Sequence, residues 1–433
     1  MTRILILLCL ILAILSPAAG QSAPSSLDRD RGRIMLNVIK SDLKKNYYDP
    51  NYHGMDVDVR FKVAEEKIKQ AASLGQIFGI IAQTLIELED SHTFFLPPSR
   101  PSTTEYGWHM QMIGDKAYVI AVKPGSDAEA KGLKEGDEIY SIDGVGPSRE
   151  NMWKIQYSYN ALRPRPGMHL QTIKPGGQEL EFDVLAKVKE GKRIVDLTGN
   201  DIFDLIREAE NESRLNRHRY VEMSEDLFIW KMPAFDLEET KVDDMVGKFR
   251  KRKSLILDLR GNGGGYETTL LRLLANLIDH DVIVGDLKRR KETKPITAKT
   301  RGSNVFAGKL VVLIDSRSGS AAELFARLVQ LEKRGIVIGD RSAGAVMRSK
   351  SHGHELGTDT VIFYGVSVTD ADIIMSDGKS LERIGVIPDE TKLPTNRDLA
   401  AKRDPVLAYA ASLLGVTIKP EDAGALFPIE WRR

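Results

Sequence analysis

Apolar positions along the chain follow three successive rhythms, and each predicts a different kind of element. From about Leu27 to Leu96 the spacing is helical: Val57, Phe61, Ala64, Ile68 and Ala71 recur every three to four residues, and Ile77 to Leu88 continues with few breakers. From about Thr103 to Lys189 short apolar runs alternate with turn residues, which predicts a small β-domain. From Asp226 onward, strand-like runs at Leu227 to Met232, Leu255 to Leu259, Leu310 to Ile314 and Ile336 to Ile338 are separated by helical stretches at Val242 to Phe249 and Thr268 to Leu277. That alternation predicts an α/β domain. Strand-rich sequence follows from Thr360 to Met375, and Pro405 to Leu414 reads as a last helix. Asp201 to Asn211 reads as a connecting helix, and the polar, basic stretch Arg289 to Arg301 as a surface loop. The expected layout is a multi-domain α/β protein: helical region 27–98, β-domain 103–189, α/β domain 198–415 and C-terminal tail 416–433.

The first residues follow none of these rhythms. Arg3 precedes an unbroken apolar run from Ile4 to Leu15, then Ser16-Pro17-Ala18-Ala19-Gly20. A charged start, a short apolar run and small residues predict a secretory signal peptide over 1–20. The run is short for a membrane span, so no stable insertion is expected after cleavage. The single cysteine, Cys9, lies inside it. The mature chain is thus expected to lack disulfides, zinc–thiolate sites and a thiol nucleophile. An exported, cysteine-free chain points to a bacterial periplasmic or secreted protein. Lys plus Arg (62) and Asp plus Glu (61) nearly cancel, without a basic patch, which argues against a nucleic-acid partner.

Three segments carry chemistry. The first is an order of turns and strands in the β-domain: Tyr106-Gly107-Trp108-His109-Met110, a strand at Ala117 to Val122, Pro124-Gly125-Ser126, a short helix near Ala128 to Lys131, Gly132-Leu133-Lys134-Glu135-Gly136-Asp137, and a strand Glu138 to Ile142 closed by Asp143-Gly144. This order resembles a PDZ domain. The resemblance implies that the loop around Gly107 binds a peptide carboxylate, with Gly107, Trp108, His109 and Met110 in the peptide groove. The second segment is a buried strand running into Gly261-Asn262-Gly263-Gly264-Gly265, a turn that can aim amides at an anion but lacks the Lys-Ser/Thr ending of a phosphate loop. The third is Ser318-Gly319-Ser320-Ala321-Ala322-Glu323 between a strand and a helix. Ser320 with Glu323 fits a helix capping box, and Ser320 also sits where helix amides can stabilise an oxyanion.

Taken together, these segments and Ser380-Leu381-Glu382-Arg383-Ile384-Gly385-Val386-Ile387-Pro388-Asp389 resemble the C-terminal processing (tail-specific) peptidase family of serine peptidases, over about Leu27 to Asp389. The resemblance implies a crotonase-like catalytic domain (ClpP/crotonase superfamily) with Ser320 as nucleophile. The oxyanion hole would be formed by the amide of Ala321 and one from the Gly263-Gly264 turn, with Gly264 the candidate. It also implies polypeptide substrates and no metal or organic cofactor.

The general base departs from that pattern. The best-known branch supplies a lysine within a Thr-Phe-Gly-Lys-Gly segment, and the matching stretch here, Ser342 to Val346, holds Ala345 at that place. In a tricorn-like branch the base is a histidine before a Leu-Pro pair, where this chain has Lys231; Glu382 matches a glutamate of that branch. A Ser320–Lys231 dyad with Glu382 is therefore expected, provided that burial or nearby positive charge lowers the lysine pKa. Otherwise Lys231 points to solvent or pairs with Glu382. Lys350, His352 and His354 are further candidates. His92, in Asp90-Ser91-His92-Thr93, is expected to be mainly structural. The missing lysine also leaves a catalytically inactive peptide- or ligand-binding protein on the same fold as the alternative. A small-molecule hydrolase of the commonest fold is disfavoured, because a Gly-x-Ser-x-Gly elbow is absent.

Overall fold

The computed structural model describes residues 24–100, 102–190, 213–357 and 361–432. The expected signal peptide with Cys9 and the connecting helix at 201–211 lie outside these residues.

Three helices, Ser26–Asn46, Val57–Lys69 and Leu74–Ile86, form the N-terminal region, and each starts on a side-chain cap from Ser25, Asp56 or Ser73. Their apolar faces meet through Leu36, Ile39, Phe61, Ile68, Ile77 and Ile81. Tyr364, Val366 and Val368 of the strand Ile362–Met375 belong to the same core. The region does not end as a helix. Phe94–Leu96 is a short strand paired antiparallel with Ile362–Met375, Phe95 facing Val366. This pairing anchors the preceding Asp90–Thr93 loop to the α/β domain.

The β-domain is a five-stranded antiparallel sheet in the order Trp108–Ile113, Lys116–Val122, Glu138–Ile142, Gly167–Ile173 and Glu179–Leu185. Buried and half-exposed positions alternate along Lys116–Val122 as the sequence rhythm requires. The edge strand Trp108–Ile113 is held against the α/β domain. Gln111 Nε2 donates to Asp315 Oδ2 (2.8 Å), Gly114 N to Asp340 Oδ2 (2.9 Å), and Arg149 pairs with Asp340 (2.6 Å).

The α/β domain is built on a six-stranded sheet in the order Glu390–Thr391, Ile336–Gly339, Lys309–Ile314, Ser254–Asp258, Leu227–Lys231 and Arg219–Glu222, parallel except for the last strand. The helices Glu239–Phe249, Glu267–Leu277 and Ala321–Leu331 pack on one face, and Pro405–Leu413 and Pro420–Leu426 on the other. The glycine turn and the Ser320 segment both leave the carboxyl ends of parallel strands, where such sheets place their ligand sites.

Two expectations need correction. Arg289 to Arg301 is not simply a loop: Thr293–Ala298 is an edge strand paired with Val282–Lys288. Its outward Thr293, Lys294 and Pro295 read as loop, while Ile296 and Ala298 are buried. A polar, proline-bearing strand is what a sheet edge tolerates. The tail 416–433 likewise contains the helix Pro420–Leu426, held by buried Ala423.

Candidate active site

Ser320 precedes the helix Ala321–Leu331 with φ 51° and ψ −119°, a conformation that side-chain-bearing residues rarely adopt. Its amide donates to the carbonyl of Ala345 (2.7 Å) and to Glu323 Oε2 (3.0 Å), which hold it there. The Glu323 side chain thus reaches back as a capping box predicts. It also does more. Oε1 accepts from Ser342 Oγ (2.6 Å) and Gly344 N (2.7 Å), and Oε2 also accepts from Ala345 N (2.9 Å). One fully buried carboxylate therefore ties the Ser320 segment to the loop Ser342–Val346. Burial pushes its pKa up to about 7, while the Ser342 hydroxyl and the amides of Ala345, Gly344 and Ser320 favour the ionised form.

The glycine turn lies against Ser320. A β-carbon on Gly264, whose φ is +105°, would fall 2.6 Å from Ser320 Cβ and 3.1 Å from Ala321 N, so only glycine fits there. The amide of Gly264 is not free, however: it donates to Asn262 Oδ1 (2.8 Å). Fully buried Asn262 also donates to the Met232 carbonyl (2.9 Å) and accepts from Gly319 N (2.9 Å), bracing the turn against the Ser320 segment. The Ala321 amide, and that of Gly263, have no acceptor among the described residues. The Gly264 assignment is thereby corrected. Gly264 supplies the close approach, and the free amides flank it.

Lys231 does not join this cluster. Its strand ends beside Ser254–Asp258, with Lys231 directly opposite Asp258. Nζ donates to Asp258 Oδ1 (3.1 Å) and to the Arg260 carbonyl. Arg260 bridges Asp258 and Asp404. Burial lowers the Lys231 pKa, and the Asp258 charge opposes that shift. The expected dyad and the expected Lys231–Glu382 pairing are both replaced by this ion pair, because the strand's alternation aims the amine at the neighbouring strand end. Lys231→Met should lower stability by about 1–3 kcal/mol, less than a fully broken buried pair because Arg260 still neutralises Asp258. It should leave labelling of Ser320 by a serine-directed probe within about threefold of wild type. Denaturant titration and labelling rates check both.

Glu382 lies beside a different partner. Oε1 accepts from Ser91 N (2.9 Å), and Oε2 from Ser91 Oγ (2.9 Å) and Val346 N (2.9 Å). Ser91 Oγ is 2.7 Å from His92 Nδ1. Asp90 Oδ1 fixes the loop by accepting from His92 N (2.8 Å), Thr93 N (3.1 Å) and Thr369 Oγ1 (2.7 Å). The single Ser91 hydroxyl hydrogen goes to Glu382, so Ser91 Oγ accepts from His92 Nδ1–H. That tautomer leaves the Nε2 lone pair unprotonated. Burial lowers the His92 pKa, and Asp90 partly opposes it. The structural role expected for His92 therefore omits its main feature, a hydrogen-bonded chain from Glu382 through Ser91. Among the described residues no basic side chain hydrogen-bonds the Ser320 hydroxyl; such contacts commonly close on substrate binding. Lys350 pairs with Asp370 (3.8 Å) and His354 with Asp42 (2.6 Å), which turns both away. His352 Nε2 is buried without a partner.

Residues 228–391, which contain Lys231, the glycine turn, Ser320, Ala345 and Glu382, match peptidase family S41. That match places the chain's likeness to peptidase family S41 in its α/β domain. It is a serine-type hydrolase. It is similar to the chloroplastic carboxyl-terminal-processing peptidase 3 of Arabidopsis thaliana, 23% identical over 86% of this chain and 72% of that one. A shorter match joins it to a tricorn protease homolog of Streptomyces coelicolor, 31% identical over 37% of this chain and 13% of that protein. Among solved structures it shares the fold of mature CPAF, with a TM-score of 0.65 and 16% identity over 87% of this chain and 95% of that one. Among the described residues, no helix is long and apolar enough to cross a membrane, and no acidic, histidine or cysteine cluster has the makings of a metal site.

Proposed function

We propose that the protein is an exported endopeptidase that takes polypeptide segments or C-termini on its β-domain, read as a PDZ domain, and cleaves them in the crotonase-like α/β domain with Ser320 as nucleophile and His92 as general base. The observation that carries this reading is the chain His92 Nδ1–Ser91 Oγ–Glu382. Glu382 also takes the amide of Val346, the neighbour of the Ala345 whose carbonyl receives Ser320 N.

In this reaction Ser320 Oγ forms a bond to the scissile carbonyl carbon while its proton passes to His92 Nε2. The carbonyl electron pair moves onto oxygen, facing the amide of Ala321 and one of the glycine turn, Gly263 having its amide free. The imidazolium, stabilised through Ser91 by Glu382, gives its proton to the departing amine as the C–N bond breaks. Water then attacks the acyl-enzyme by the same route, and Ser320 is released. Ser91 and Glu382 are positioning residues.

The base determines the pH profile. His92 acts when neutral, and burial lowers its pKa from the ordinary 6.5. The acid limb of kcat/KM should therefore lie below pH 6.5, with full activity at neutrality. A lysine base would instead place the limb on the alkaline side of neutrality unless strongly shifted. Initial rates on an unstructured polypeptide between pH 4 and pH 9 test this. An ascending limb above pH 7.5 would exclude His92. No turnover together with no fluorophosphonate labelling of Ser320 would instead leave a binding protein on this fold.

A further inference from the structure

We propose that the C-terminal segment is a built-in ligand of the β-domain, docked on the edge strand through Trp431 and competing there with polypeptide C-termini. The inference deepens the proposed function and rests on the β-domain being its peptide-binding element.

After the helix Pro420–Leu426 the chain has no regular structure, and Pro428 and Ile429 are exposed. It is nevertheless held along its length. Glu430 accepts from Arg214 (2.6 Å) and Arg217 (2.8 Å), and the Pro428 and Trp431 carbonyls accept from Arg219 (2.9 Å) and Arg214 (2.6 Å). Its end then crosses to the other domain. The Trp431 indole stacks on the His109 imidazole with centroids 4.4 Å apart and planes 7° from parallel. Lys123 Nζ donates to the Arg432 carbonyl (3.3 Å).

Both contacts fall where a peptide would be taken. His109 lies on the edge strand, whose outer side pairs with no strand among the described residues. Lys123 is tied to the preceding loop by the bond from its amide to the Gly107 carbonyl (2.8 Å). Gly107, with φ +75°, has Ser126 packed so closely that a β-carbon would fall 2.5 Å from it. Tail residues Phe427 to Ile429 and Trp431 line a cavity of about 620 Å³ together with Gln111 and Ile113 of the edge strand. The tail therefore reports what the site accepts. That is a segment with an aromatic residue to cover His109, and a following carbonyl for Lys123. Because the tail is covalently attached, even weak contacts occupy the site at an effective concentration in the millimolar range. They remain displaceable, since no backbone ladder joins tail and strand.

The test uses the full chain carrying Ser320→Ala, to prevent cleavage, and fluorescein-labelled Pro-Ile-Glu-Trp-Arg-Arg read by fluorescence anisotropy. Trp431→Ala should tighten probe binding at least about tenfold by vacating the site. Glu430→Ala, which releases the tail without touching the β-domain, should shift binding the same way. His109→Ala added to Trp431→Ala should abolish it. Equal binding with and without Trp431, lost on His109→Ala, would overturn the tail as competitor while leaving the β-domain as peptide site. No binding in any variant, with hydrolysis of polypeptide intact in the Ser320 protein, would overturn the peptide-binding reading together with the tail inference.

Discussion

Alanine at Ser320 or at His92 is expected to lower kcat by about three to four orders of magnitude, with the double variant no worse than either single one. A nucleophile and its base act as a unit, so removing either leaves only binding and the oxyanion donors. The rate on a folded-state-independent peptide substrate, measured beside circular dichroism, decides it. His92 is half-buried and its hydrogen bonds are local, so His92→Ala should keep the fold. A His92→Ala protein with wild-type kcat would remove His92 from the mechanism. So would losses that multiply in the double variant. Ser91→Ala should show a smaller loss and shift the acid limb of the rate profile, because the imidazole loses the partner that fixes its tautomer.

Glu323→Gln is expected to be the most damaging isosteric change in the domain. The carboxylate has four donors and nothing donating from its own side. A carboxamide must turn an NH2 toward at least one of those amides, leaving a buried N–H unpaired at about 1–3 kcal/mol. The same change frees the strained Ser320, so kcat should fall by about 10²-fold even in the folded fraction. The pH dependence has a defined sign. A carboxyl whose folded pKa is raised from 4.5 to about 7 contributes stability below pH 4.5 and loses it as pH rises through 7. Wild type should therefore lose roughly 3 kcal/mol over that interval from this group. Glu323→Gln should flatten the corresponding slope in urea midpoints. An unchanged slope would show that the four donors keep Glu323 ionised throughout.

Much of the architecture is legible before folding. Strands at Leu227, Leu255, Leu310 and Ile336 fall within one residue of their predicted places, and the helices predicted from Val242 and Thr268 start within three. Buried parallel strands are continuous apolar runs, and helices carry their own period. Thr293–Ala298 escaped because an edge strand shows only two buried positions, Ile296 and Ala298, among polar ones.

The site divides along the same line. Ser320, Ala321, Gly264 and Glu323 stand on continuous strand–turn–helix segments, where chemistry follows from local pattern and from the family resemblance. The base does not. Lys231 looked suitable because it interrupts an apolar strand, yet the parallel register with Ser254–Asp258 sets its amine on Asp258. His92 looked structural because its neighbours in sequence say nothing of Glu382, 290 positions later. Sequence alone determined the elements, the strand–turn–helix segment of Ser320 and the glycine turn, since these depend on short-range periodicity and backbone freedom. Only tertiary structure decided the rest: the partner of each charged side chain, the relay from Glu382 to His92, and the tail resting on His109. Those pairings are set by strand register and domain packing, which bring together groups that no local pattern connects.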